Sequence, residues 1–383
     1  MHRRLQHYLA LLLLAGAQTV HAAAMHDNSQ AVALASGPDG AIYAAQVEHG
    51  HLDILRSTDD GQSWAAHARV NPQAEQVIAD GENPPQLAVG LDGALLVSWA
   101  RRFEERFTGD VRFARADNGR DFSEPITVHH DRSVTGHSFP RMHLGRDGRL
   151  TLVWLDGRDR LAAERENRAY EGSALYASHS LDGGRSFVPE YRLAAHTCQC
   201  CRLGLAEDRE GSLLVMWRHI FAGSQRDHAL LRLADGQASE PQRVTFDAWQ
   251  VEACPHHGPS LAVDAQGRRH ATWFSPHGEQ GPVFYGQIGP QGVSQAVPVG
   301  GPRTAHASVA TLGKQVVLLW KAFDGERTAL VAGLPGKPGE PMRQQVLAHT
   351  EGKSDHPRLL EHQGRLLAFW NTTEHGLRGY PLP

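Results

Sequence analysis

Pairs of short apolar segments recur along this chain, and each pair is separated by a turn that contains Gly and usually Asp. Apolar and polar residues alternate around the turn, a pattern that predicts an antiparallel β-hairpin. The second segment ends in Trp in six of seven copies, at residues 86–99, 141–154, 202–217, 259–273, 307–320 and 357–370, whereas the copy at 31–45 lacks the Trp. The tryptophans follow one another at intervals of 47 to 63 residues. We interpret the chain as seven repeats of one supersecondary unit.

A third apolar segment follows six of the hairpins after a polar loop, at residues 51–57, 110–116, 173–180, 228–234, 282–288 and 327–333. A period of about 50 residues with room for four short strands is typical of a β-propeller blade. We expect an all-β propeller of four-stranded antiparallel blades. Seven blades are favoured, and six blades with one copy outside the ring are the alternative. The last copy has only residues 376–382 after its hairpin, so residues 24–30 are expected to add the strand that closes this blade. The tryptophans are expected to fill the gaps between neighbouring blades.

The N-terminus predicts export. His2, Arg3 and Arg4 precede an apolar run at residues 8–17, and Val20-His21-Ala22 offers small side chains at a cleavage site. This pattern is typical of a secretory signal peptide at residues 1–22, and an uncleaved anchor is the alternative. We expect one propeller domain at residues 23–383, in the periplasm or secreted. No second apolar segment reaches about 18 residues, so no membrane span is expected after cleavage.

Charge and histidine content narrow the choice of partners. The formal net charge is −4 at pH 7, which argues against a nucleic-acid partner. The chain has 24 histidines, a count that suggests metal binding, although most of them are expected to be ordinary surface or core residues.

Two turns after predicted third strands share the pattern S-x-D-x-G-x-x-[WF], at residues 57–64 and 180–187. In such a turn the Asp carboxylate accepts backbone N–H groups, Ser caps the turn, Gly supplies a positive φ and the aromatic ring packs back onto the hairpin. The pattern resembles the Asp-box, or BNR repeat, of the sialidase superfamily, and the blade pattern extends this resemblance over essentially the whole mature chain. The resemblance implies a propeller fold but leaves the activity open. The residues that carry it are Ser57, Asp59, Gly61, Trp64, Ser180, Asp182, Gly184 and Phe187.

If the protein is an enzyme, the resemblance implies a glycoside hydrolase. Sialidases hold the substrate carboxylate with three arginines and carry a Phe/Tyr-Arg-Ile-Pro motif. That motif is missing here, because His257 stands two places before Pro259, where its Arg would lie. Arginines nevertheless follow several predicted second strands, with acidic residues nearby. These residues could line one mouth of the ring and bind an anion. The alternative is a solvated rim of mixed charge. The residues are Arg101, Arg158, Arg218, Asp156 and Asp227.

Three of the four cysteines lie together in HTCQCCRLG (196–204). Cys198, Cys200 and Cys201 precede the turn glycine Gly211 by 13, 11 and 10 residues. This places them at the entrance to a predicted first strand, where all blades of a propeller converge on the central channel.

The fourth cysteine lies at the equivalent place in the next copy. The same three offsets, counted back from Gly267, fall on Cys254, His256 and His257. His137 occupies the middle offset in the preceding copy. We therefore expect sulfur and imidazole groups from neighbouring blades to meet at one mouth of the channel.

Thiolates and imidazoles form a soft donor set that favours copper as Cu(I), with zinc next. The same four cysteines allow two disulfides, which are common in exported proteins, or one disulfide with a Cys/His metal site, or thiol redox chemistry. The sequence thus predicts an exported propeller that binds a soft metal, for metal handling or tolerance. The alternative is an exo-α-sialidase-like glycoside hydrolase or a glycan-binding propeller that acts on acidic sugars. A scaffold for a protein partner is a third possibility.

Overall fold

The computed structural model describes residues 30–251, 253, 255–276, 280–336 and 340–382. The predicted signal peptide, residues 24–29 of the expected closing strand, and Cys254 lie outside the described residues. Within the described residues, no helix is both long enough and apolar enough to cross a membrane.

The described residues form seven antiparallel sheets, which confirms the all-β propeller with seven blades. The long strands of each sheet form a meander, in which strands that follow one another along the chain pair side by side, and the short two-residue strands pair at the edges. Blade 1 contains Ala33–Ser36, Ile42–Glu48, His51–Ser57 and Ala65–Arg69, and blade 2 contains Val77–Ile78, Gln86–Val89, Leu95–Arg102, Gly109–Ala116 and Ile126–Thr127. Blade 3 contains His137–Leu144, Leu150–Asp156, Ser173–Ser180 and Tyr191–Thr197, and blade 4 contains Gly204–Glu207, Leu213–Arg218, His228–Ala234, Gln237–Ala238 and Gln242–Arg243.

Blade 5 contains Ser260–Val263, Arg269–Phe274, Val283–Gly289, Gly292–Val293 and Val297–Pro298. Blade 6 contains Thr304–Leu312, Gln315–Phe323, Thr328–Leu334 and Arg343–Thr350, and blade 7 contains Arg358–His362, Arg365–Thr372 and Gly376–Pro381. A short α-helix, Arg158–Arg165, follows the second strand of blade 3. Blade 7 has three strands within the described residues, so the N-terminal strand that was expected to complete it stays a prediction.

The first long strand of every blade lies on the inside of the ring. Each of these strands contacts the corresponding strand in both neighbouring blades, and the contact between blades 1 and 7 closes the circle. Polar contacts also cross this last junction, because the Val32 N–H donates to Asp355 Oδ2 at 3.2 Å and Asn371 Nδ2 donates to the Gln30 carbonyl at 2.9 Å.

The repeated tryptophans pack between blades, as predicted. Each is at most 3% exposed and lies in an apolar cluster with side chains of the preceding blade; Trp217, for example, packs with Val153 and Leu175 of blade 3. Burial of an indole also requires a partner for its N–H. Trp154 donates to Asp156 Oδ2 at 2.8 Å and Trp273 donates to Asp247 Oδ2 at 3.0 Å.

The two Asp-box turns have the predicted hydrogen bonds. Asp59 accepts the N–H and the hydroxyl of Ser63, and these bonds lower the pKa of its carboxyl to about 2. The aromatic residue, however, packs on the neighbouring blade rather than only on its own hairpin. Trp64 of blade 1 donates to the Leu377 carbonyl of blade 7 at 3.0 Å, so the motif also joins adjacent blades.

Candidate functional site

The first strands enclose a cavity of about 190 Å³ on the axis of the ring. Residues of blades 3 to 7 and of the loop between the first two strands of blade 2 meet there, although they are far apart in sequence. The cavity is lined by Gly81, Arg141, Arg202–Leu205, Pro259–Leu261, His306, Ser308, Val309 and His356–Leu359.

A buried carboxylate, Glu82, links the blades at one end of this cavity. Its Oε2 atom accepts the backbone N–H groups of Arg202 at 3.0 Å and Gly258 at 2.7 Å, and its Oε1 atom pairs with the Arg202 guanidinium. Burial raises the pKa of Glu82, but the Arg202 charge, the His306 imidazole and the backbone N–H groups outweigh this effect and bring the pKa down to about 2. The carboxylate is therefore charged, and its charge is fully paired.

The two backbone donors to Glu82 occupy equivalent positions in adjacent blades. Arg202 precedes its turn glycine, Gly211, by nine residues, and Gly258 precedes Gly267 by nine residues. One carboxylate oxygen binds both N–H groups, so the two segments enter their blades in the same way. This geometry confirms the equivalence that was predicted for the cysteine and histidine segments.

Three histidines form a stack beside Glu82. The His306 ring lies 3.5 Å from the His356 ring and 4.4 Å from the His257 ring, centroid to centroid. His306 has a φ of 54° within a β-bulge between Ala305 and Ser308, which turns its side chain toward the axis. Burial lowers the pKa of His306 and of His356, and burial with the neighbouring His306 lowers the pKa of His257 to about 3. The stacked imidazoles are therefore neutral at pH 7.

Glu82, His306 and His356 offer ligand atoms within 4.8 Å of one another. The two imidazole rings are stacked, and their Nδ1 atoms each lie 3.5 Å from Glu82 Oε1. The Arg202 guanidinium already pairs with this same oxygen, and its positive charge disfavours a metal ion there. We assign this cluster a structural role.

Arginines are the main charged groups in the cavity. Arg202 is paired with Glu82, and Arg358 lies 3.5 Å from Asp355 Oδ2. Arg141 makes no ion pair with any described carboxylate, and its buried Nε atom has no hydrogen-bond partner. Burial, together with the positive charges of Arg358 and Arg202, lowers the pKa of Arg141. The cavity therefore contains more positive charge than its own acids compensate.

The sulfur atoms of the three described cysteines lie within 4.8 Å of one another in a buried cluster, against which Phe139 packs. Cys200 is disulfide-bonded, whereas Cys198 and Cys201 are free thiols. The Cys198 and Cys201 sulfurs lie 3.1 Å apart, and a hydrogen bond from the Cys201 thiol lowers the pKa of Cys198. Burial raises the pKa of Cys201.

The histidines predicted to join these cysteines lie elsewhere. His257 belongs to the axial stack, and its ring also packs on Phe274 at 4.2 Å. His256 is exposed. His137 is buried beside Asp131, whose Oδ2 lies 2.9 Å from His137 Nε2. Among the described residues, the metal ligands predicted from sequence therefore separate into a sulfur cluster and histidines that do not share it.

The arginines predicted at the mouth already have hydrogen-bond partners within the fold. Arg101 makes a bidentate contact with Asp110, and Arg158 makes one with Asp156, each through Nε and Nη2. The buried Arg218 donates to three backbone carbonyls, those of residues 226, 257 and 274. Asp227 pairs with Arg243 and accepts backbone N–H groups. Anion binding by this set stays a prediction. Arg101, Arg158 and Asp227 are neutralised by ion pairs within the fold, whereas the donors of Arg218 are used by backbone carbonyls.

The charged residues that define the axial cavity were not among the site residues predicted from the sequence. Arg202 and Arg358 lie at the entrance to a first strand and Arg141 lies within one, so an arginine in or before the first strand of three blades was a usable signal. Glu82 lies in a loop outside the repeated pattern and had no signal of this kind.

Comparisons with known proteins support the fold. No family model and no curated protein matches the sequence. An ulvan lyase, solved with -[GlcA(1-4)Rha3S]-, has a TM-score of 0.58 at 11% identity over 90% of each chain. An α-L-arabinofuranosidase of Fusarium graminearum has a TM-score of 0.50 at 14% identity, over 83% of this chain and 92% of that chain. A Hadza microbial sialidase has a TM-score of 0.48 at 16% identity, over 77% of this chain and 64% of that chain. The chain is thus a seven-bladed propeller that is structurally similar to carbohydrate-active enzymes at low identity.

The Glu82 contacts predict a large loss of stability for Glu82→Gln. Removing the charge leaves the buried Arg202 guanidinium unpaired, and breaking a buried pair in this way costs about 3–5 kcal/mol in the free energy of unfolding. Urea denaturation followed by tryptophan fluorescence measures the change. The exposed Glu210→Gln is the control and is expected to stay within about 0.5 kcal/mol of the wild type. A similarly small effect of Glu82→Gln contradicts the role of Glu82 as the link between blades.

The neutral histidine stack predicts that acid destabilises the fold. An unfolded His binds a proton below about pH 6.5, whereas His257 in the folded protein does so only near pH 3. The unfolded state therefore binds more protons between these values, and stability falls as the pH decreases through this range. When the pH is lowered from 7 to 5, the free energy of unfolding of His257→Gln, measured by urea denaturation, is expected to fall by about 1–2 kcal/mol less than that of the wild type. The exposed His49→Gln is the control, and an equal loss in all three proteins contradicts the prediction.

Proposed function

We propose that the protein binds an acidic saccharide, whose carboxylate or sulfate enters the axial cavity and contacts Arg141, Arg202 and Arg358. The observation that carries this proposal is the Arg141 guanidinium, which lines the cavity and has no carboxylate partner among the described residues. A guanidinium binds carboxylate and sulfate oxygens through charge-assisted, often bidentate hydrogen bonds. An anion in the cavity accepts the hydrogen bond that the buried Arg141 Nε–H can donate and that no described group accepts.

The electrostatic balance supports the same conclusion. Glu82 and Asp355 are the acids nearest to the three arginines, but Glu82 is committed to Arg202, and burial raises the pKa of Asp355. The pKa of Arg141 is lowered because its charged form is buried next to two like charges. A bound anion relieves this repulsion and is stabilised in turn, since buried opposite charges interact more strongly than exposed ones.

The cavity size defines how much of a ligand enters. Its volume of about 190 Å³ is smaller than a typical small-molecule pocket of about 300–1,000 Å³. The charged group of one sugar residue fits, with the rest of the chain outside the ring. The ulvan lyase in the comparison was solved with a saccharide that carries glucuronate and sulfate, which is the ligand chemistry proposed here. No residue is assigned a catalytic role.

Replacing Arg141 tests this function. Calorimetric titration with oligosaccharides that contain glucuronate or sulfate is expected to show binding by the wild type and at least about tenfold weaker binding by Arg141→Ala, because a hydrogen bond to a charged group contributes roughly 1.5–3 kcal/mol. Neutral oligosaccharides are expected not to bind. The exposed Arg120→Ala is the matched control and is expected to bind as the wild type does.

Circular dichroism first confirms that each arginine variant is folded. Failure of the wild type to bind any acidic oligosaccharide, or equal binding by folded Arg141→Ala, rejects the proposed function.

The sulfur cluster favours a second candidate function, binding of a soft metal by Cys198, Cys200 and Cys201, for metal handling in an exported protein. Three sulfurs within 4.8 Å of one another match the spacing that three thiolates around one ion require. Thiolates prefer Cu(I), with Zn(II) next. Cys200 becomes a thiolate ligand only after its disulfide is reduced, so we expect metal binding by the reduced protein.

Titration with Cu(I) under anaerobic conditions tests this second function. The fully reduced protein is expected to retain about one Cu(I) per chain against a competing chelator, as three thiolates form a complete trigonal site. Cys198→Ser is expected to bind at least about tenfold more weakly, because only two thiolates of the cluster are left. The exposed His256→Gln is the control with unchanged affinity. Equal retention by Cys198→Ser, or none by the reduced wild type, contradicts metal binding by this cluster.

A further inference from the structure

The sulfur cluster combines one oxidised cysteine with two reduced ones. Cys200 is disulfide-bonded, while Cys198 and Cys201 are free thiols. The Cys198 sulfur lies 3.9 Å from the Cys200 sulfur and 3.1 Å from the Cys201 sulfur. A thiol is therefore placed near a disulfide sulfur, and a second thiol lies next to the first.

The surrounding fold holds these three sulfurs in place. The Cys198 N–H donates to the Arg218 carbonyl at 2.9 Å. The Arg218 side chain in turn donates to the backbone carbonyls of residues 226, 257 and 274. Cys198, Cys200 and Cys201 are only 2%, 5% and 2% exposed. Burial to this degree restricts attack by external thiols and leaves the neighbouring sulfurs as the available reaction partners.

We propose that Cys198 transfers a disulfide bond within the cluster, from Cys200 to the Cys198–Cys201 pair. In the first step the Cys198 thiolate attacks the Cys200 sulfur. A Cys198–Cys200 bond forms, the bond from Cys200 to its former partner breaks, and the partner leaves as a thiolate that takes up a proton.

In the second step the Cys201 thiolate attacks the Cys198 sulfur. A Cys198–Cys201 bond forms, and Cys200 leaves as a thiolate that takes up a proton. One disulfide and two thiols are present before and after the two steps. No external oxidant or reductant is needed, and the protons released by Cys198 and Cys201 balance those taken up.

The positions of the sulfurs determine the order of attack. Direct attack by Cys201 on Cys200 forms a bridge between adjacent residues, which is strained because such a bridge distorts the preferred disulfide geometry. Cys198 avoids this bridge in both steps. The Cys198–Cys201 pair also has the C-x-x-C spacing of redox-active dithiols. We call this two-step disulfide transfer the relay. The relay is independent of saccharide binding in the axial cavity, and it proceeds without metal.

Peptide mapping by mass spectrometry tests the relay on the purified protein. The full chain is incubated without added thiol in a buffer that contains a metal chelator, quenched in acid at several times, denatured and alkylated, and its disulfides are quantified. We expect two free thiols per chain at every time, and a fraction with the Cys198–Cys201 bridge that exceeds the background from scrambling at least about tenfold.

Two serine variants identify the steps. Cys198→Ser is expected to keep the Cys200 disulfide at all times, and it also measures the scrambling background. Cys201→Ser is expected to stop after the first step and accumulate the Cys198–Cys200 bridge. Circular dichroism confirms that both variants are folded.

Three results overturn the relay. The first is a wild type in which Cys200 stays bridged while Cys198 and Cys201 are alkylated at all times. The second is a resting state that differs from one disulfide and two thiols. The third is a Cys201→Ser variant that never forms the Cys198–Cys200 bridge.

Discussion

The Glu82 carboxylate lies at the axis of the ring, where the ion pair with Arg202 and the backbone N–H groups of Arg202 and Gly258 meet on a single side chain. Blades 4 and 5 donate to it directly, and His306 and His356 place blades 6 and 7 beside it, each with Nδ1 at 3.5 Å from Glu82 Oε1. A propeller has no sheet that crosses its centre, so the blades need contacts of this kind to fix their positions around the axis. A buried charge serves this purpose only when it is fully paired, which explains why its neighbours are guanidinium, backbone N–H and neutral imidazole groups.

This arrangement also decides where chemistry is possible. Because Arg202 is committed to Glu82, the axial cavity keeps an unpaired guanidinium at Arg141, and the cavity attracts anions more readily than cations. A metal ion next to the same arginines is disfavoured by their charge. The cysteines lie in a separate buried cluster with their own environment. The proposed anion site and the sulfur cluster therefore occupy different places in the fold.

The repeated pattern predicted the blades, the seven-fold ring and the tryptophans between blades, since hairpins, turns and inter-blade packing depend on residues close in sequence or at a fixed period. It also predicted that Cys201-Arg202 and His257-Gly258 enter their blades equivalently. It did not predict that equivalent positions have different neighbours. His257 stacks with His306 and Phe274, whereas Cys201 packs with Cys198. Arg101 and Arg158 form ion pairs with local acids, and Arg218 donates to backbone carbonyls, which the spacing of charges along the chain does not reveal.

The sequence by itself determined the blade architecture, the Asp-box turns and the equivalence of the two cysteine and histidine segments, because each follows from local turn chemistry and from a repeat period. The tertiary structure alone decided which side chains meet on the axis. Glu82, Arg202 and His356 are separated by more than a hundred residues from one another, and only closure of the ring brings them together. The unpaired charge of Arg141 depends on that closure, since it results from which neighbours the blades supply and which partners those neighbours have already taken.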